Sequence, residues 1–96
     1  MLFSLACFVC CGLFLYFIYW LFRYRCIGCR QAAQEINEIV PRARSKKSIL
    51  DWKNRVPLCR TCHSAYHQDG VTEKKIFDMR VARMEYLNSV GREKYV

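Results

Sequence analysis

The first twenty-two residues form the longest apolar run in the chain. No charged residue occurs from Met1 to Phe22, where Phe, Leu, Cys and aromatic side chains dominate. A helix of that length reaches about 33 Å, against a hydrocarbon core of roughly 30 Å. The pattern predicts a transmembrane helix over residues 1–23, with membrane lipids as partners through residues 1–22. Tyr16, Tyr19 and Trp20 resemble an interfacial belt, and Arg23 and Arg25 place the remainder on the cytoplasmic side of a single-pass membrane protein. A cleaved secretory signal fits less well, since no positive segment precedes the run and no small-residue cleavage site comes after it. Cys7, Cys10 and Cys11 within the run read as small hydrophobes. Only Arg23-Tyr24-Arg25 separates the run from Cys26, so residues 24–96 are expected to sit against the membrane surface.

Beyond it the periodicity changes. Glu35-Ile36-Asn37-Glu38-Ile39-Val40-Pro41 alternates polar and apolar positions, as a short half-buried strand does, and Arg55-Val56-Pro57-Leu58 fits a second strand. Residues 61–67 suit about two helical turns with His63 and His67 on one face. After a turn at Gln68-Asp69-Gly70, Thr72 is a candidate N-cap for a helix from Glu73 to about Ser89, stopped near Gly91. Phe77, Val81, Met84 and Asn88 form one stripe of that helix, with Ile76 and Leu87 alongside, and this face is expected to pack on the preceding unit. Strand, loop, strand and helix in this order predict an α+β fold, with residues 24–96 as one domain; no linker or repeat interrupts them.

Two C-x-x-C pairs, Cys26/Cys29 and Cys59/Cys62, bracket the two strands. Each pair turns its sulfurs to one side, so four thiolates can converge on one tetrahedral ion, with Zn2+ the expected occupant. Disulfides or unrelated core thiols are the alternative. A metal matters for a unit of about seventy residues, which buries little apolar surface unaided. Thiols that hold metal also imply a reducing compartment. All sixteen Lys and Arg and all eight Asp and Glu come after Phe22, so the formal charge of +8 sits wholly on residues 23–96. Such a domain seeks polyanions, either nucleic acid or an anionic membrane surface.

Taken together, residues 26–67 resemble the HNH endonuclease family with its ββα-metal site, especially the small zinc-containing phage type. The matching pieces are Cys26 and Cys29, then Asn37-Glu38-Ile39-Val40-Pro41-Arg42, then Asn54-Arg55-Val56-Pro57-Leu58-Cys59, then Cys62-His63. The resemblance implies that Cys26, Cys29, Cys59 and Cys62 hold a structural zinc away from the chemistry. It puts Asn54 on the central asparagine, which fixes the loop between the strands, and His63 on the last histidine, a ligand of a catalytic divalent ion. Glu38 takes the general-base position, where the family usually has histidine. Asn37 takes a second metal-ligand position, where the family usually has Asp or His. His67, one turn beyond His63, is a further candidate for the same ion.

The two departures bear on the chemistry. Phosphodiester hydrolysis needs an activated water and a cation, Mg2+ or another divalent ion, that neutralises charge on the phosphate and the leaving oxygen. Histidine titrates near neutrality and suits the base role, whereas a solvated carboxylate is a weaker base. An asparagine offers a metal only a neutral oxygen. Around this site, Arg42, Arg44, Lys46, Lys47, Lys53, Arg55 and Arg60 place seven cations in nineteen residues against Asp51 alone. They would meet DNA backbone phosphates without reading bases. The expectation is a membrane-anchored, metal-dependent DNA endonuclease. The alternatives are a catalytically degenerate zinc module that tethers DNA to the membrane, and a small protein whose basic face binds lipid.

Overall fold

A computed structural model of the protein describes residues 13–49 and 51–96. A helix, α1, covers residues 13–22 of the described chain. Next come strand β1 (Glu35–Glu38) and strand β2 (Arg55–Leu58), then helices α2 (Arg60–His67) and α3 (Glu73–Ser89). Short 3-10 turns at Lys46–Ser48, Trp52–Asn54 and Glu93–Tyr95 complete the described elements.

The two strands are antiparallel, pairing Glu35 with Leu58, Ile36 with Pro57, Asn37 with Val56 and Glu38 with Arg55. The last pair sets opposite charges directly across the ladder, a favourable arrangement. Asp51 opens the turn before β2 by accepting a bond from the Lys53 amide at 3.0 Å. The long connection between the strands is tied by Asn54, 6 % exposed. Its Oδ1 accepts from the Val40 amide at 2.9 Å, and its Nδ2 donates to the Val40 carbonyl at 3.1 Å and the Ser48 carbonyl at 3.4 Å. The side chain thus stands in for a peptide unit of a third strand and satisfies a loop that has no ladder of its own.

The apolar segment at the N-terminal side has a different fate from the one its composition predicts. Ile18, Leu21 and Phe22 are fully buried, in one cluster with Cys26, Ile27, Ile39, Val56, Leu58, Cys59, Ile76, Tyr86 and Leu87. Burial of each such side chain favours docking by roughly 1.5–3 kcal/mol. The carbonyls at the end of α1 are also claimed by the rest of the chain. Tyr86 donates its hydroxyl to the Phe22 carbonyl at 2.7 Å, and Arg92 donates to the carbonyls of Trp20 at 2.5 Å and Leu21 at 2.7 Å. Among the described residues no helix is long and apolar enough to cross a membrane. This corrects the expected transmembrane helix and, with it, the single-pass location, the cytoplasmic-side domain and lipid as a partner of residues 1–22. The expected span also includes residues 1–12, with Cys7, Cys10 and Cys11, which lie outside the described residues.

Helix α3 runs as expected from Glu73 to Ser89, with the Thr72 hydroxyl accepting from the Lys75 amide at 3.2 Å. Its buried face, however, is Ile76, Arg83, Tyr86 and Leu87, while Phe77 and Met84 stand 67 % and 41 % exposed. Phe77, Met84 and Asn88 of the expected stripe therefore face outward and Val81 is half-buried, while Ile76 and Leu87, expected alongside it, do pack inward. Both faces of the helix carry apolar residues, and the face that won includes an arginine. Arg83 can sit there because its guanidinium lies over the Trp52 ring at 5.2 Å and donates to the Tyr95 carbonyl at 3.0 Å.

Candidate functional site

Helix α2 carries both candidate centres, one at each end. At its N-terminus Cys59 is the cap residue, its Sγ accepting from the Cys62 amide at 3.4 Å. In the first pair Cys26 Sγ accepts from the Gly28 amide at 3.3 Å. These two turns aim the sulfurs of Cys26, Cys29, Cys59 and Cys62 inward, all within 4.8 Å of one another. A tetrahedral zinc–thiolate site needs sulfurs about 3.8 Å apart, given a Zn–S distance of about 2.3 Å. All four are free thiols, which sets aside the disulfide alternative. A Cβ added at Gly28 would lie 3.1 Å from Cys62 Sγ, so this position has no room for a side chain without displacing a thiol.

The thiols do not ionise alike. Burial opposes the Cys26 thiolate, but hydrogen bonds from Cys59, Cys29 and Gly28 outweigh it and bring the thiol down to about 7. Burial, and after it the adjoining Cys59 and Cys26, push Cys62 up. One sulfur is poised to carry charge while a neighbour resists, first because it is buried and then because a negative charge would stand beside the other thiols. A divalent cation removes that conflict, and the donor set fits zinc.

At the other end of α2 the helix lies along the β1 face that carries Glu35 and Asn37, with Ile39 just beyond the strand. Four helical residues advance about 6 Å and two strand residues about 6.6 Å, so positions four apart on α2 match positions two apart on β1. His63 Nδ1 accordingly lies 3.5 Å from Glu35 Oε1, and His67 Nε2 lies 3.0 Å from Asn37 Oδ1. The two imidazole rings are 4.9 Å apart. Tyr66, between them in sequence, turns inward and donates its hydroxyl to the Ile39 carbonyl at 2.5 Å, which pins the helix to the chain leaving β1.

A cleft of about 290 Å³ opens here, lined by Ile36, Asn37, Glu38, Pro41, Arg42, His63 and His67. Five of the predicted site residues, Asn37, Glu38, Arg42, His63 and His67, thus come together. Asn54 does not join the lining; its contacts are those that tie the loop. Asn37 is 1 % exposed, and its Nδ2 has no hydrogen-bond partner. Glu38 Oε1 is held by Arg42 Nε at 2.7 Å and faces Arg55 Nη1 at 3.8 Å, whereas the buried Oε2 has no partner. Burial lowers the proton affinity of His67, and His63 and Lys75 lower it further, so the ring is neutral at neutral pH and has a lone pair to offer. Two histidines, one amide oxygen and a carboxylate line the cleft, donor types that hard or borderline divalent ions accept. Among the described residues, only the four thiols bring three or more His, Cys, Asp or Glu ligand atoms within 4.8 Å of one another.

The expected basic surface is partly committed elsewhere. Arg42 and Arg55 pair with Glu38, Arg55 also donates to the Ile49 carbonyl, and Arg44 pairs with Glu73 at 3.0 Å. Lys46, Lys47, Lys53 and Arg60 are exposed, with Lys53 lying over the Trp52 ring at 5.5 Å. The Glu35 contact to His63 escaped the sequence reading, although the match between a period of two on the strand and a spacing of four on the helix contained the signal.

No curated protein and no solved structure matches the chain. Among known families, residues 26–69 match HNH endonuclease, a span that contains all four thiols, both strands and both histidines.

Proposed function

We propose that residues 24–96 act as a zinc-stabilised, HNH-type endonuclease that hydrolyses DNA phosphodiester bonds with a second, catalytic divalent ion. The observation that carries this reading is the convergence of Asn37, Glu38, His63 and His67 on one cleft, within the span that matches the HNH endonuclease family. In this reading Cys26, Cys29, Cys59 and Cys62 hold the structural zinc. His63, His67 and Asn37 hold the catalytic ion, which when bound supplies charge neutralisation at the phosphate and the leaving oxygen.

The residues of the chain do the rest. Glu38 is the group that accepts the proton of the attacking water, while the Arg42 and Arg55 guanidiniums keep the carboxylate in place through Oε1. Glu35 orients the His63 ring by engaging Nδ1, leaving Nε2 for the ion. Arg42, 63 % exposed along its side chain, stands at the cleft edge where a phosphate oxygen would enter. Lys46, Lys47, Lys53 and Arg60 contribute affinity for the backbone without sequence reading.

The test is nicking of supercoiled plasmid by the zinc-loaded 96-residue protein with and without Mg2+ or Mn2+, beside His63→Ala and Glu38→Ala. The whole chain is required because Ile18, Leu21 and Phe22 belong to its core. Divalent-dependent cleavage lost in both variants supports the assignment. A folded, zinc-bound protein that shifts DNA yet cuts with no ion refutes it in favour of a DNA-binding module.

A further inference from the structure

The end of α2 is closed by a device that none of the metal or nuclease residues supplies. A helix leaves its last carbonyls without intrahelical partners and concentrates partial negative charge there. Here the chain leaves the helix through Gln68 in an extended conformation, then through Asp69 and Gly70 with φ of 61° and 87°. The His67 carbonyl is met by the Gly70 amide at 3.1 Å. The Ser64 carbonyl is met by the Gln68 amide at 2.9 Å, and the carbonyls that remain converge on one side chain from α3. Lys75 Nζ lies 3.4 Å from the Ala65 carbonyl, 3.0 Å from that of Tyr66, 2.5 Å from that of Gln68 and 3.1 Å from that of Gly70. Three ammonium protons shared among four carbonyls make this a cage around a cation.

Its placement is specific. Tyr66 and Gln68 are the residues on either side of His67, so the ammonium fixes the backbone immediately before and after that histidine. Lys75 is in turn set by the Thr72 cap, whose hydroxyl takes the Lys75 amide in the first turn of α3. Toward the cleft, the only side-chain bond of His67 in the described structure is the 3.0 Å contact to Asn37 Oδ1. One such bond leaves a side chain free to swing about its own Cα, so the direction of the ring depends on how firmly the turn carrying it is held.

We infer that Lys75 is a positioning residue for the cleft: by clamping the turn at residues 65–70 it sets the direction in which His67 is presented to Asn37 and His63. The inference rests on the proposed function only where activity is the readout. A misplacement of about 1 Å at a catalytic group can cost on the order of a hundredfold in rate. Removing the clamp is therefore expected to reduce turnover rather than DNA binding.

The experiment compares the full-length, zinc-loaded protein with Lys75→Met, His67→Ala and the double variant. Ring proton and carbon signals of His63 and His67 are recorded by NMR, beside plasmid nicking with Mn2+. In Lys75→Met the His67 signals should shift and broaden, while the zinc content stays at one per chain. Turnover should fall about tenfold or more with KM within about twofold, and the double variant should be no slower than His67→Ala alone. Should Lys75→Met lose its zinc, Lys75→Gln, which retains an amide donor, is measured in its place. Unchanged His67 signals overturn the inference whether or not the protein cleaves DNA. Losses that multiply in the double variant overturn it as well, because Lys75 would then act independently of His67. If the unsubstituted protein cuts nothing, the nuclease reading fails, and the NMR comparison alone decides the role of Lys75.

Discussion

The two ends of α2 are built on opposite principles. At the thiol end, four side chains of one kind crowd together with Cys26 and Cys59 buried in the core, and their mutual contacts are unfavourable once they carry charge. At the cleft end the side chains differ and are already paired within the protein: His63 with Glu35, His67 with Asn37, Glu38 with Arg42. The first arrangement needs a cation to exist in its charged form. The second keeps its shape without one. A metal at the thiol end is therefore expected to be a folding component, while the one proposed for the cleft end would be an exchangeable reagent.

The largest expected effect tests that difference directly. Stripping zinc with a strong chelator should abolish the cooperative melting transition seen by circular dichroism, because structural zinc is coupled to folding on the order of 10 kcal/mol. A chelator that removes only weakly bound Mg2+ or Mn2+ should stop cleavage and leave the transition in place. If both treatments unfold the chain, the comparison collapses. Next in size, Phe22→Ala should destabilise the protein by about 3–5 kcal/mol in urea unfolding, since this ring lies with Cys26 and Cys59 in the core. A negligible loss would mean that α1 is not part of the thiol end.

At the cleft end, His63→Ala should lower plasmid nicking about 10²–10³-fold, roughly 3–4 kcal/mol in activation free energy, without moving the melting temperature by more than a few degrees. Unfolding of this variant would show the cleft end to be as structural as the thiol end. A smaller effect concerns pH. Burial, aided by His63 and Lys75, holds His67 below its ordinary value of about 6.5. The folded chain thus binds this proton less readily than the unfolded one, so its stability is full above about pH 6.5 and declines as pH falls through the lowered value. The melting temperature should drop on acidification from neutrality, and less so in His67→Asn. The smallest effect is that of Phe77→Gln, expected to stay within about 0.5 kcal/mol of the unsubstituted protein because this ring is 67 % exposed.

The thiol end was legible in the sequence because spacing alone determines it: C-x-x-C twice, about thirty residues apart. Strand β2 and the span of α3 were legible through local signals, the Thr72 cap and the Gly91 stop among them, and both appear with the expected bounds. What failed were choices between equivalent partners. An uncharged run is as suited to a protein core as to lipid, and only the tertiary contacts of Tyr86 and Arg92 with the end of α1 separate the two. Helix α3 offers two apolar faces, and the outward one looked cleaner because the inward one contains Arg83. The motif order makes the residues of the cleft legible, but not their pairings, since Glu35 and Asn37 find their histidines through a register that no single segment encodes.

Cys62 and His67 stand five residues apart on one short helix, which makes α2 a lever arm with its fulcrum among the thiols. The arm is about 7.5 Å long, so a tilt of ~10° at the sulfur end would carry His67 through ~1.3 Å, a displacement large enough to disable a catalytic group. Occupancy of the thiol cluster would then be reported mechanically at a surface cleft, and partial loss of zinc would silence the proposed nuclease before the chain unfolded.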